Sequence, residues 1–291
     1  MDFAQQLVNG VQIGSVYALV AIGYTMVYGI AKMINFAHGD IIMVGSYVAL
    51  LFFQSSGLPV WGVIAATAAV SAVLGVTIER LAYKPLRGGS RMSALITTIG
   101  VSLMLQNGFL LIFGSSPKPF PNHFTGEGFT LGGVTVSRLT AITLVVTVVL
   151  MMLLTLFVNR TRVGKAMRAV SEDQGAAQLM GINIDTSISI TFAIGSALAA
   201  VAAVLYSSTY PLINPYMGSM LGLRAFIAAV IGGIGVIPGA MIGGFIIGIA
   251  EALIKRYISS AMADAIVFAL LIIVLLVKPS GLLGRNEREK V

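Results

Sequence analysis

Residues able to do chemistry are scarce in this chain, and they are clustered. Asn35, His38 and Asp40 fall in the segment 32–40, KMINFAHGD. A histidine close to a carboxylate is the start of a proton-transfer pair or of a metal site. Catalysis needs further partners, a nucleophile among them, and a metal needs more nitrogen, sulfur or carboxylate ligands. Neither follows in the sequence, so no catalytic and no metal-binding residue is assigned. What remains is the chemistry of a gate. Ionisable groups at membrane depth cost roughly 2.5–3.5 kcal/mol on insertion scales and often mark a pathway. The segment is expected at a helix end, where water removes most of that cost.

Two more groups join this set. Gln106 and Asn107 sit side by side in an apolar run, where amides commonly bond across helices. The stretch 232–244, GGIGVIPGAMIGG, concentrates Gly232, Gly233, Gly235, Pro238 and Gly239. Gly235 with Gly239, and Gly239 with Gly243, have the spacing that lets membrane helices approach closely. Broken helices also line substrate sites in transporters. Asn35, His38, Asp40, Gln106, Asn107, Gly232, Gly233, Gly235 and Gly239 are therefore the candidates for a translocation path or its gate. Glu251 and Lys255, four apart, read as a local ion pair. The glycine stretch is no nucleotide loop, and G-x-x-x-x-G-K-[ST] occurs nowhere in the sequence. If this protein transports on ATP, the ATP is bound by another chain and this one carries no cofactor.

The elements that hold these residues must be membrane helices. Apolar residues make up 57% of the 291, and charged ones 10%, against about 25% charged in an ordinary soluble domain. A span needs roughly 20 mainly apolar residues, and the runs 3–31, 41–78, 92–114, 139–158, 186–223 and 225–250 contain no Lys, Arg, Asp or Glu. The run 257–277 carries one acid, Asp264. Turn residues at 54–59, QSSGLP, divide the second run. Helices are expected over about 6–30, 36–53, 60–82, 93–113, 139–158, 187–207 and 257–277. The result is an all-α polytopic membrane protein of about seven full spans plus one glycine-broken re-entrant or split helix.

Charge sets the orientation. Arg80, Lys84, Arg87 and Arg91 cluster between two runs, Arg160, Arg162, Lys165 and Arg168 between two others, and Lys278, Arg285, Arg288 and Lys290 in the tail. The positive-inside rule places all three groups in the cytoplasm and the N-terminus outside. That requires the segment 225–250 to dip in and return as two half-helices. A single crossing would strand the tail outside and leave more Lys and Arg there. The net charge of +7 comes from these clusters, with no basic face interleaved with aromatics, so nucleic-acid binding is excluded. No cysteine is present, which removes disulfides and thiolate metal sites. The first apolar run lacks a basic n-region and a small-residue cleavage site, so it reads as a retained helix.

The loop 159–185 is long and charged, and Met167, Val170, Ala177 and Gly181 recur in it at helix-like spacing. Short amphipathic helices of this kind cannot span a bilayer. They can lie on its surface or dock in a partner's groove.

Several stretches together resemble the LivH-type permease subunits of bacterial ABC importers for branched-chain amino acids. They are GYTMVYGIAKMINFAHGDIIMVGSY (23–47), ERLAYKPLRG (79–88), TTIGVSLMLQN (97–107), RVGKAMRAVSEDQGAAQLMGINI (162–184), GGIGVIPGAMIGG and the terminal KPSGLLG (278–284). They span the chain in order, which makes the set specific although each alone is modest. The resemblance implies one transmembrane permease domain over 1–291, with a coupling loop at 159–185 and a cytoplasmic tail at 278–291. It implies a LivM-like second permease, LivG- and LivF-like cytoplasmic ATPases that bind the ATP, a periplasmic substrate-binding protein, and the bacterial inner membrane as location. Arg162, Gly164, Lys165, Arg168, Ala176, Ala177 and Gly181 then belong to the ATPase coupling loop. Ala176, Ala177 and Gly181 match the A-A-x-x-x-G core of the docking motif, while Gly175 stands where a Glu usually precedes it. Leucine, isoleucine and valine are the implied substrates, selected mainly by the binding protein. Permeases similar to these also carry urea, short amides or other amino acids.

Two other classes compete. A stand-alone channel or ion-coupled transporter would use the broken segment as its filter, but few intramembrane charges are available for a relay. A membrane enzyme built on His38 and Asp40 lacks a nucleophile.

Overall fold

The computed structural model describes residues 2–284 apart from 88, 125, 127 and 132. Gly88, Arg285, Arg288 and Lys290 lie outside the described residues. The helices in chain order are α1 (Asp2–Ala31), α2 (His38–Ser55), α3 (Val60–Ile78), α4 (Arg91–Phe113), α5 (Arg138–Arg160), α6 (Arg162–Glu172), α7 (Gln174–Leu179), α8 (Ile184–Thr209), α9 (Met217–Gly232), α10 (Ile237–Tyr257) and α11 (Ala263–Val277). Six of them, α1, α3, α4, α5, α8 and α10, are long and apolar enough to cross a bilayer, and α9 and α11 are shorter apolar helices. The protein is the polytopic helical bundle that its apolar runs predict.

Small residues decide which helix is central. The most apolar window of α1 is 83% buried, against 17% for α4 and for α5. α1 runs antiparallel to α10 with almost no side chain between them. A Cβ on Gly10 would lie 2.6 Å from the Ile249 Cα, and one on Gly244 would lie 2.5 Å from the Ala18 Cα. Such close backbone approach is the main source of helix association where lipid removes the hydrophobic drive. α8 is also antiparallel to α1: Gln12 Nε2 donates to Thr209 Oγ1 at 3.2 Å, and Gly23 meets Gly195 farther along. α2 packs along α8, where Gly45 rests on Ala200 and Ala203 and Ser207 Oγ donates to Ser46 Oγ at 2.9 Å.

Short strands close one end of the bundle. β1 (Lys118–Pro119) pairs with β4 (Leu212–Ile213), and β2 (Phe129–Leu131) pairs with β3 (Val134–Val136), both antiparallel. Gln5 ties the start of α1 to β3, donating to Thr135 O at 3.0 Å and accepting from Thr135 N at 2.9 Å.

The glycine-rich segment differs from the expectation of two half-helices. The backbone turns at 233–236, where Gly233 (φ 107°) and Gly235 (φ 92°) take left-handed conformations that side chains disfavour. Pro238 and Gly239 belong to the first turn of α10, where a proline's missing N–H costs nothing. α10 has 21 residues, about 31 Å of helix, so it is a full-length arm. The segment 225–250 lies in a hairpin of α9 and α10, and the next helix starts at Ala263 rather than Tyr257. The chain after α11 returns to the turn of this hairpin: Leu282 N donates to Ile231 O at 2.8 Å and Leu283 N to Gly232 O at 3.0 Å. These bonds satisfy carbonyls that a helix C-terminus leaves open. Gly29, near the end of α1, also abuts Gly235. Residues 281–284 thus lie at the same end as the start of α8 and the loop 159–185. This is the end that the charge pattern assigns to the cytoplasm.

Candidate functional site

Of the predicted gate residues, Asp40 and Gln106 meet where α2, α4 and α9 cross, with Asn35 and His38 beside them. Gly39 in the first turn of α2 touches Gly218 and Gly222 of α9, and a Cβ on Gly39 would lie 3.0 Å from the Gly222 Cα. This contact brings Asp40 beside α4. Asp40 Oδ1 accepts from Gln106 Nε2 at 2.9 Å. The same nitrogen lies 3.1 Å from Ser102 Oγ and 2.8 Å from Ser219 Oγ. An amide nitrogen has two hydrogens, so three acceptors share two donors and the cluster has alternative arrangements. Ser219 is exposed on α9, while Asp40 is 1% and Gln106 8% exposed.

Asn35 and His38 lie beside this node, and both are 1% exposed. The expected wet helix end is absent. α2 begins at His38, and its first turn is enclosed by α1, α8 and α9. The His38 ring meets Tyr24 edge-on with centroids 4.6 Å apart, and Gly23 makes room for it, since a Cβ there would lie 2.7 Å from His38 Nε2. His38 Nε2 and both polar atoms of the Asn35 amide have no hydrogen-bond partner among the described residues. Asn107 does not join the group. It is exposed and donates to Leu103 O of its own helix at 2.8 Å. Gly232 and Gly239 face each other across the α9–α10 hairpin, and Gly233 contacts Gly284; these glycines shape the hairpin and do not touch Asp40. Among the described residues no group of three or more His, Cys, Asp or Glu could hold a metal. The sequence reading missed Ser219, Gly218 and Gly222, although Gly218-x-x-x-Gly222 is itself a small-residue pair.

The loop 159–185 folds as two short helices. Thr161 caps α6 by accepting from Gly164 N at 2.9 Å, Asp173 caps α7 by accepting from Ala176 N at 2.9 Å, and Asn183 caps α8 by accepting from Thr186 N at 3.0 Å. Each satisfies an orphan donor of the helix start. Gly164, Met167, Val170 and Ala177 form the buried face, and Arg162, Lys165 and Arg168 face outward. Ala176 and Gly181 are exposed, and Gly181 takes φ 80° in the turn out of α7. Leu179 and Met180, which the sequence reading did not single out, are 90% and 82% exposed at the tip. Two large apolar side chains ending a charged loop were the available signal.

A third group lies towards the opposite end. Glu251, 1% exposed, accepts from Tyr17 Oη at 2.6 Å, from Arg224 Nη1 at 3.0 Å and from Lys255 Nζ at 2.5 Å. Arg224 also pairs with Asp264 at 2.5 Å. The local pair expected of Glu251 and Lys255 is therefore one limb of a network joining α1, α9, α10 and α11. Lys255 also borders a cleft of about 330 Å³, with Gln6, Asn9, Gln12, Thr209 and Tyr210 on its other walls.

The family model described as "Branched-chain amino acid transport system / permease component" matches residues 6–275, an interval that contains all three groups. The chain belongs to this family. Among relatives of this permease, the high-affinity branched-chain amino acid transport system permease protein BraD of Pseudomonas aeruginosa is 48% identical, over 99% of this chain and 98% of that protein. The corresponding permease protein LivH of Escherichia coli K12 is 49% identical over the same shares. The permease also aligns with a chain of PsaBC from Streptococcus pneumoniae in complex with Fab, at 16% identity over 96% of this chain and 93% of that one, with a TM-score of 0.49.

Proposed function

We propose that this chain is the membrane-spanning subunit of an ABC importer that moves leucine, isoleucine and valine across the bacterial inner membrane. The observation that carries the reading is the similarity along 99% of the chain, at 48% and 49% identity, to BraD and LivH, permeases of high-affinity branched-chain amino acid transport systems. Its partners are a LivM-like second permease, LivG- and LivF-like ATPases and a periplasmic binding protein. The ATPases bind the ATP, and the permease does no chemistry of its own.

The geometry supports a division of roles. Leu179 and Met180, exposed at the end of α7, form an apolar knob on the loop that the charge pattern assigns to the cytoplasm. A groove in an ATPase is the fitting receptor for such a helix. The Asp40–Gln106–Ser219 node joins three helices through exchangeable hydrogen bonds, which suits a gate that changes partners as the helices move. ATP can switch the side to which the path opens only by binding one state more tightly than the other.

Reconstitution in liposomes tests the reading. The complex of both permeases and both ATPases, supplied with binding protein and ATP, takes up labelled leucine. Uptake that persists when the ATPases are left out overturns it.

A further inference from the structure

The base of α3 does not finish as an α-helix. Glu79–Tyr83 winds as a π-helix and Lys84–Leu86 as a 3-10 turn. Single π turns recur at functional sites because they re-aim side chains at a cost in helix geometry. Here the turn accompanies a carboxylate with no solvent exposure: the Glu79 side chain is 0% exposed. A buried charge must be paired and hydrogen-bonded. Arg87 Nη2 donates to Glu79 Oε1, and Ser189 Oγ donates to Glu79 Oε2 at 2.6 Å. The other arm of the Arg87 guanidinium, Nη1, donates to Asp185 Oδ1, and Lys84 Nζ pairs with Asp185 Oδ2 at 2.7 Å.

Asp185 and Ser189 both lie at the start of α8, directly after the coupling loop. Only 180–183 separate α7 from α8, and that turn has no slack. Met180 N donates to Ala176 O at 3.1 Å, Gly181 N to Gln178 O at 3.0 Å and Ile182 N to Ala177 O at 3.0 Å. A displacement of α7 therefore reaches Asp185 with little loss. Ser189 ties α8 to Glu79 directly, Tyr83 of the same π turn meets Phe192 at 5.0 Å, and farther along α3 the contact is between small residues, Gly75 against Ser196. The forked guanidinium cannot slide without breaking a charge-assisted bond to a buried carboxylate.

We propose that Arg87 is a positioning residue for transport: bridging Asp185 and Glu79, it makes the base of α3 follow the coupling helix. This rests on the importer reading and names a residue route within it. The route has a fixed direction of vulnerability. Asp185 is half-exposed, and it is the only carboxylate joining Arg87 to the α8 side among the described residues.

The test uses the complete complex in proteoliposomes and reads leucine taken up per ATP hydrolysed, beside the melting temperature. Asp185→Asn is expected to assemble and melt as the wild type and to hydrolyse ATP, with uptake per ATP lowered about tenfold. Asp185→Glu is expected to restore it. The double variant Glu79→Gln with Arg87→Met removes the buried pair together, so it is expected to assemble yet stay uncoupled. Wild-type uptake per ATP in Asp185→Asn, or in the double variant, overturns the proposal. Wild-type uptake that needs no ATP overturns the importer reading instead.

Discussion

Gly39 of α2 and Gly218 of α9 meet backbone to backbone, each lying where a side chain on the other would collide with its carbonyl. This contact sets the depth of the first turn of α2 and so the place of Asp40. Gly218→Val is expected to push α9 from α2 and to destabilise the bundle by about 1–3 kcal/mol, the usual cost of overpacking. Leucine uptake is expected to fall further than the loss of folded protein explains. Thermal unfolding in detergent alongside uptake separates the two effects.

Adjacent amides are expected to behave in opposite ways. Gln106→Leu leaves the buried Asp40 without its amide donor and is expected to cost about 1–3 kcal/mol. Asn107→Leu removes only a bond to its own helix from an exposed position. It is expected to stay within about 0.5 kcal/mol of the wild type. Equal effects on the melting temperature would contradict the geometry.

The coupling loop allows a similar contrast. Leu179→Asp and Met180→Asp alter side chains that touch little of this chain, so insertion and melting temperature are expected to hold while the ATPases no longer co-purify. Loss of an apolar anchor of this kind typically costs a complex about 2 kcal/mol or more. Ala177→Glu is expected instead to damage the fold, because Ala177 is 3% exposed. Retained co-purification in both Asp variants would move the docking surface elsewhere.

Glu251 gathers three donors at a position that is 1% exposed. Glu251→Ala takes a buried acceptor from Tyr17 and from Arg224, which keeps Asp264, and is expected to cost about 1–3 kcal/mol. Lys255→Ala removes a partner that is 37% exposed and is expected to cost at most about 1 kcal/mol. The ratio of the two losses, from thermal unfolding of the purified permease, checks whether Arg224 is the principal partner.

Much of this architecture is legible in the sequence because lipid imposes simple rules. Uncharged runs mark α1, α3, α4, α5 and α8, and turn residues separate α2 from α3. The positive clusters, with the parity they force, require the glycine segment to turn back. The amphipathic spacing of Met167, Val170 and Ala177 gives the buried face of α6 and α7. Other features depend on contacts between residues far apart in the chain. Asp40 looks like a helix-end residue until α9 is seen to cover it. Gln106 and Asn107 differ only in which way the helix turns them. The extent of the Glu251 network depends on Arg224 and Asp264, which no local pattern connects. Arg87 reads as one more cytoplasmic cation, and nothing local shows that its partner Glu79 is sealed from water.

The backbone bonds from Leu282 and Leu283 to Ile231 and Gly232 also fix an order of assembly. The capping residues are synthesised after both arms of the hairpin, and α11 must be threaded before they can arrive. Until then the carbonyls of Ile231 and Gly232 lack these donors, and the α9–α10 hairpin is held by its glycine contacts and the Arg224–Glu251 pair. Biogenesis therefore has a late closing step, in which a downstream segment bolts an upstream one. A nascent chain halted before residue 281 would carry an unlatched hairpin and be the better substrate for membrane quality control.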